Sequence, residues 1–172
     1  MTTKLKAGQA MPEISLPTLG GGTVSLGAST GGWRMIVVYR GLHCPLCSKR
    51  LPALQESLDE LDRRDAGLVA VSMDGKERAE QAKADWKLDR LAVAYGLAEE
   101  DARAWGLYIS ASIAEKEPRR FCEPGQFVVR SDGTLYVGCV ATAPFLRPSI
   151  DGLLRALDMA IDRDYPPRGT LG

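Results

Sequence analysis

An α/β fold, with a central mixed β-sheet flanked by helices and an amino-terminal β-hairpin extension, is predicted by three features of the sequence. Met35–Tyr39 is a continuous apolar run of strand length, the pattern of strands buried on both faces, and Leu68–Ser72 reads as the next buried strand. Between them Cys47, Leu51, Leu54, Leu58 and Leu61 recur at spacings of 4, 3, 4 and 3, which draws one apolar stripe down a helix of about five turns. From Phe127 the pattern changes to a hairpin, Phe127–Arg130 and Thr134–Val140 around Asp132-Gly133, a turn dipeptide that favours positive φ.

The other elements follow in chain order. Met11–Leu26 alternates weakly around Gly20-Gly21-Gly22, as a hairpin laid down before the main fold does. Asp74 is expected to cap a polar helix running through Trp86, Leu91–Tyr95 to form a strand, and Glu99–Trp105 a short helix stopped by Gly106. A last helix starts near Ser149 and buries Ile150, Leu153, Leu154, Leu157 and Ile161, ahead of a Pro-Pro segment expected, over 164–172, to be a flexible tail. A β-α-β unit followed by β-β-α is the thioredoxin-like layout. With 172 residues and no repeat or linker, one domain over 1–172 is expected.

Composition narrows the partners. The 22 Lys and Arg balance 22 Asp and Glu, so there is no electrostatic footprint for nucleic acid or an anionic membrane. No stretch reaches the roughly 20 apolar residues of a membrane span, and Met1 to Gln9 lacks the apolar core of a signal peptide. A cytoplasmic location is expected. In that reducing compartment four Cys are too few and too scattered for a disulfide scaffold, so close spacing points to metal or redox chemistry.

Only Cys44 and Cys47 are close. They lie between the end of a buried strand and the start of an amphipathic helix. With Cys44 as the cap, Pro45 takes the first helical position, where its missing N–H costs nothing, and the free N–H groups and positive dipole end face the Cys44 sulfur. Cys44 is therefore expected to be exposed and nucleophilic, and Cys47, on the Leu stripe, recessed and able to resolve a mixed disulfide. Between Ile14 and Gln55 there is no acid, whereas Arg34, Arg40, Lys49 and Arg50 are present; cations favour the ionised thiol. Arg40 and His43 are expected closest to it, against the alternative that both are merely solvated. A zinc site would need His43, Cys122 and Cys139 to converge by the fold alone, and the pair could also be inert filler at a helix start. Redox chemistry without metal or bound cofactor is preferred to both.

The string Val38-Tyr39-Arg40-Gly41-Leu42-His43-Cys44-Pro45-Leu46-Cys47, with Pro52 in the same helix, resembles the peroxiredoxin-like branch of the alkyl hydroperoxide reductase and thiol-specific antioxidant (AhpC/TSA) family, within the thioredoxin superfamily. So do Glu123–Val129, Asp132-Gly133 and Leu135–Gly138, and the similarity extends from Pro12 to Leu157. The resemblance implies that Pro124 is a cis-proline facing the Cys pair and turning the backbone of Glu123 toward the sulfurs, where it could pair with a bound peptide. Glu123 would then oppose thiolate formation, and Cys122 would be near enough to be an accessory thiol, although a packed, unreactive Cys is preferred there. Cys139, inside a strand, is expected in the core. Aligned through Pro52, the family's peroxide-reactive Cys falls on Cys47, its Thr on Cys44, its Pro on Arg40 and its catalytic Arg on Pro124. The body resembles a peroxiredoxin and the site a thioredoxin.

Three functions share this site. The leading expectation is a thiol–disulfide oxidoreductase that cycles a Cys44–Cys47 dithiol and disulfide in cell redox homeostasis, acting on a protein or small-molecule disulfide and reset by an external thiol reductant. The alternative is a thiol-dependent peroxidase acting on peroxide, with Arg40 replacing the lost cation. The third is a redox sensor that turns nothing over. A homodimer is implied by the resemblance.

Overall fold

The structure, a computed structural model, describes residues 5–171. A five-stranded mixed sheet, in the order β5-β4-β3-β8-β9, is built from β3 (Trp33–Val38), β4 (Ala66–Val71), β5 (Ala92–Ala94), β8 (Gly125–Val129) and β9 (Leu135–Val140). β3, β4 and β5 run parallel, and β8 and β9 close the sheet antiparallel. The hairpin β1 (Ile14–Pro17) and β2 (Thr23–Leu26) forms in the expected place. Among the described residues five helices accompany these strands: α1 (Pro45–Glu56), α2 (Leu58–Asp62), α3 (Lys76–Asp85), α4 (Glu99–Ala104) and α5 (Ile150–Arg163).

The pleat of β3 sorts the core into two layers, as alternation along a strand requires. Met35, Val37 and Tyr39 face a cluster with Cys44, Cys47, Leu51, Leu54, Leu153 and Leu157. Ile36 and Val38 face a second cluster with Leu26, Trp105, Cys122 and Phe127. The Cys pair is therefore set into the helix layer of α1 and α5. Leu51 is fully buried one turn beyond Cys47. Leu51→Ala is expected to lower stability by about 2–5 kcal/mol through the cavity it leaves, measured by urea denaturation of the reduced protein.

Several local expectations are corrected. The five-turn helix breaks at Ser57, whose N–H and hydroxyl both turn back to the Leu54 carbonyl, at 3.1 and 2.7 Å, and α2 restarts at Leu58. Asp74 does not cap α3, whose cap is Gly75. Its buried carboxylate instead accepts from Leu42 N–H at 2.8 Å and pairs with Arg78 at 2.9 Å. In α5, Ala160 takes the inner position and Ile161, one residue on and rotated off the stripe, is 43% exposed. Cys139 is not core: it lies on β9, the edge strand, and is exposed.

A second hairpin, β6 (Ile109–Ala111) with β7 (Arg120–Cys122), has no counterpart among the expected elements. Its strands have three residues each, too short to show a period. Along the expected tail, the Tyr165 carbonyl accepts from the Tyr136 hydroxyl at 2.9 Å; Gly172 lies outside the described residues. No helix among the described residues is long and apolar enough to cross a membrane.

Candidate active site

β3 delivers the chain to the site, and a tight loop, Arg40–His43, turns it into α1. Gly41 adopts φ +131°, and a Cβ there would lie 2.7 Å from the Asp74 carboxylate. Only glycine lets that carboxylate approach closely enough to hold Leu42 N–H. Cys44 follows as the N-cap of α1 in extended backbone, with Pro45 in the first turn. Its sulfur accepts from Cys47 N–H at 3.4 Å. The helix cap and the proline thus stand where their chemistry requires.

The two thiols are pushed in opposite directions. Hydrogen bonds from the Cys47 thiol and then from its N–H, with help from Arg40 and Arg147, outweigh burial and lower the Cys44 pKa to about 5. Burial first, and then the neighbouring Cys44, raise that of Cys47 well above its ordinary value. A thiolate on the cap and a neutral thiol one turn inside follow from this split. Cys44 is not exposed as expected: it is 1% accessible and Cys47 is fully buried. Cys44 is one of the residues that line an open depression of about 560 Å³, together with His43, Arg78, Trp86, Glu115 and Lys116.

The supporting residues divide. Arg40 reaches the site but is held by acids, with ion pairs to Glu123 at 3.1 Å and Glu117 at 3.7 Å; its guanidinium also lies 4.7 Å from the Phe121 ring centroid. Glu123 is buried and accepts from Ser110 at 2.7 Å, so its charge is taken up by Arg40 rather than turned on the thiolate. His43 packs on Phe121 with centroids 4.5 Å apart, and neither ring nitrogen has a partner within the protein. Burial, and then Arg40, lower its pKa, which keeps the imidazole neutral.

Pro124 is trans, since the described residues contain no cis peptide bond. The backbone there is already committed: Glu123 N–H donates to the Tyr108 carbonyl at 2.8 Å, and the Pro124 carbonyl accepts from Ala141 N–H at 2.9 Å. These bonds tie the β7–β8 connection to its neighbours in the trans form. Cys122 sits in the opposite core layer from the pair, with its thiol pushed up to about 12 by burial. Its side chain is fully buried in that layer, among Ile36, Val38 and Phe127. No group of three or more His, Cys, Asp or Glu side chains arranged to hold a metal ion occurs among the described residues.

The residue that sequence reasoning missed is Arg147. It comes from the loop between β9 and α5, 100 residues beyond Cys47, and its Nη2 donates to Cys47 Sγ at 3.3 Å and Cys44 Sγ at 3.8 Å. Its Nε is anchored on the Pro144 carbonyl at 2.9 Å, and Arg50 steadies the loop by donating to the Pro148 carbonyl at 2.5 Å. An arginine set between Pro144 and Pro148 just before a helix cap was the available signal, but nothing local shows where it points.

Residues 7–137 match the AhpC/TSA family. No curated protein matches the chain by sequence. Among solved structures, a peroxiredoxin-like protein from Aquifex aeolicus is similar at TM-score 0.77 and 16% identity, over 92% of this chain and 90% of that one. The reduced 2-Cys peroxiredoxin of Plasmodium vivax is similar at TM-score 0.74 and 15% identity, over 92% and 83%. The peroxidoxin BcpB of Mycobacterium tuberculosis is similar at 0.72 and 17%, over 91% and 98%. At these identities the structural likeness speaks for the thioredoxin-like peroxiredoxin fold.

Proposed function

Because the chain belongs to the AhpC/TSA family, matched over residues 7–137, and is thereby a thiol-dependent oxidoreductase, we propose that it is a thiol–disulfide oxidoreductase whose working pair is Cys44 and Cys47. The observation that carries this reading is the unequal placement of two cysteines one helical turn apart: Cys44 caps α1 and its sulfur accepts from Cys47 N–H at 3.4 Å, Cys47 is fully buried behind it, and Arg147 reaches both sulfurs. A dithiol cycle needs that asymmetry. The Cys44 thiolate attacks one sulfur of a disulfide, forming a mixed disulfide and releasing one thiolate. Cys47 then gives up its proton to solvent and attacks Cys44 Sγ, releasing the second thiolate and leaving a Cys44–Cys47 disulfide. Two electrons pass to the substrate, and an external thiol reductant returns them. Arg147 is placed to stabilise negative charge on either sulfur as it shifts between them.

A second reading, thiol peroxidase, is favoured by the same arginine. A thiolate would take one oxygen from a hydroperoxide, release the alcohol or water and become a sulfenic acid, which condenses with the other thiol to give the disulfide and water. Here Arg147, not Arg40, supplies the free guanidinium, since Arg40 is occupied by Glu123 and Glu117. We take residues 1–172 as one domain, supported by two core layers that share a single sheet. A cytoplasmic location and a homodimer belong to the same proposal.

Single-turnover oxidation of the reduced protein separates the two readings, with Trp86 beside Cys44 as a fluorescent reporter. Hydroxyethyl disulfide is expected to oxidise the wild type faster than hydrogen peroxide does, and the reaction is lost in Cys44→Ser. In Cys47→Ser the mixed disulfide accumulates and is seen by mass. Fast peroxide oxidation that persists in Cys44→Ser would name Cys47 as peroxidatic and sink the disulfide reading.

A further inference from the structure

The surroundings of Cys44 restrict what kind of disulfide can reach it. Recognition of an extended polypeptide by strand addition needs free backbone N–H and C=O groups beside the Cys pair. At the corresponding place here the Glu123 N–H and the Pro124 carbonyl are both spent inside the protein, on Tyr108 and Ala141. Those two groups are not available to a passing polypeptide. Cys44 itself is 1% accessible, so the incoming sulfur must be carried on a narrow arm.

The depression in front of Cys44 has a definite chemistry. Trp86 provides a flat apolar wall, held edge-on against Tyr39 with centroids 5.9 Å apart. Arg78 uses its Nε on Asp74 at 2.9 Å, while its Nη2 is buried with no partner within the protein. Lys116 and Glu115 are exposed on the β6–β7 loop and enter no ion pair among the described residues. A donor for a carboxylate and an acceptor for an ammonium group thus stand on one depression of about 560 Å³ that Cys44 also lines. Charge of a single sign does not complement this lining. A molecule bearing both signs on a short arm does.

We propose that the substrate of the Cys44–Cys47 pair is a low-molecular-weight amino-acid or short-peptide disulfide, bound in this depression through its carboxylate on Lys116 and its ammonium group on Glu115. The inference rests on the disulfide-exchange reading above. The exchange is the one already written, with the two thiols released being two amino-acid or peptide thiols. Lys116 and Glu115 are specificity residues that do not touch the reacting sulfurs.

The test is single-turnover oxidation of the reduced full chain by three probes: glutathione disulfide, which carries both charges; hydroxyethyl disulfide, which carries none; and insulin, a protein disulfide. Glutathione disulfide is expected to react about tenfold faster than hydroxyethyl disulfide at low salt, with insulin slowest, and the ratio of the two small probes falls as salt rises. Lys116→Glu is expected to lower that ratio about fivefold, whereas Arg119→Glu, in the same loop but outside the depression, leaves it in place. Insulin reacting fastest overturns the proposal, as does a glutathione-to-hydroxyethyl ratio near one that Lys116→Glu does not move. If no disulfide oxidises the protein but hydrogen peroxide does, the disulfide-exchange reading fails, and this proposal fails with it.

Discussion

Alkylation of Cys44 by iodoacetamide, followed against pH in the reduced protein, is expected to reach half its plateau rate near pH 5, because the thiol titrates at about 5 and only the thiolate reacts. Cys47→Ala removes the largest cause of that shift, the hydrogen bond from the neighbouring thiol, and is expected to move the midpoint up by more than about one unit. Arg147→Gln removes a charge whose Nη2 lies 3.8 Å from the sulfur and should move it up by about one unit. At pH 6 either change slows alkylation, while above the usual thiol range near 8.5 the rates converge. A wild-type midpoint above pH 8 would remove the basis for the proposed roles of the two cysteines. The same shift has a consequence for stability. The unfolded thiol titrates near 8.5 and the folded one at about 5, so the unfolded chain binds more protons between those values and stability rises with pH across that window. The contribution is complete above pH 8.5 and is lost as pH falls through 5.

Gly41→Ala is expected to destabilise the protein by about 2–4 kcal/mol and to suppress Cys44 reactivity along with it. The residue sits at φ +131°, and the added methyl would lie 2.7 Å from Asp74 Oδ2, the oxygen that holds Leu42 N–H at 2.8 Å. Backbone strain and displacement of a buried carboxylate act together. Because the Leu42 anchor sets the loop that ends at Cys44, the loss should appear in both urea denaturation and alkylation rate. Gly20→Ala, where an added Cβ would meet nothing within 4 Å, is the control and should stay within about 0.5 kcal/mol. Equal stability of the two variants would show that the Gly41–Asp74 contact does not hold the loop.

These two expectations depend on different parts of the chain, and the parts were not equally legible in the sequence. The Cys44 cap, Pro45 and the Leu51–Leu54 stripe lie within about two turns of each other, so periodicity and capping rules suffice to place them. Asp74 was visible only as a helix-capping type of residue. Its grip on Leu42, 32 residues away, is a product of β4 lying beside β3. The acid-free stretch from Ile14 to Gln55 truly describes the chain and misdescribes the site, because folding brings Asp74, Glu117 and Glu123 to it from outside that stretch.

By itself the sequence determined the layer order, the parallel and antiparallel halves of the sheet, the amino-terminal hairpin and a cysteine pair at the mouth of a helix. All of these are governed by side-chain period, turn residues and the unpaired N–H groups of one helix end. Only the tertiary structure decided that Arg147 is the cation on the sulfurs, that Arg40 is paired with acids, that Pro124 is trans and that Cys139 is exposed. Each depends on which segments far apart in the chain meet across the sheet or along its edge. Local pattern carries no record of such meetings, because any polar residue in a loop has the same periodicity whether it ends in solvent or against a thiolate.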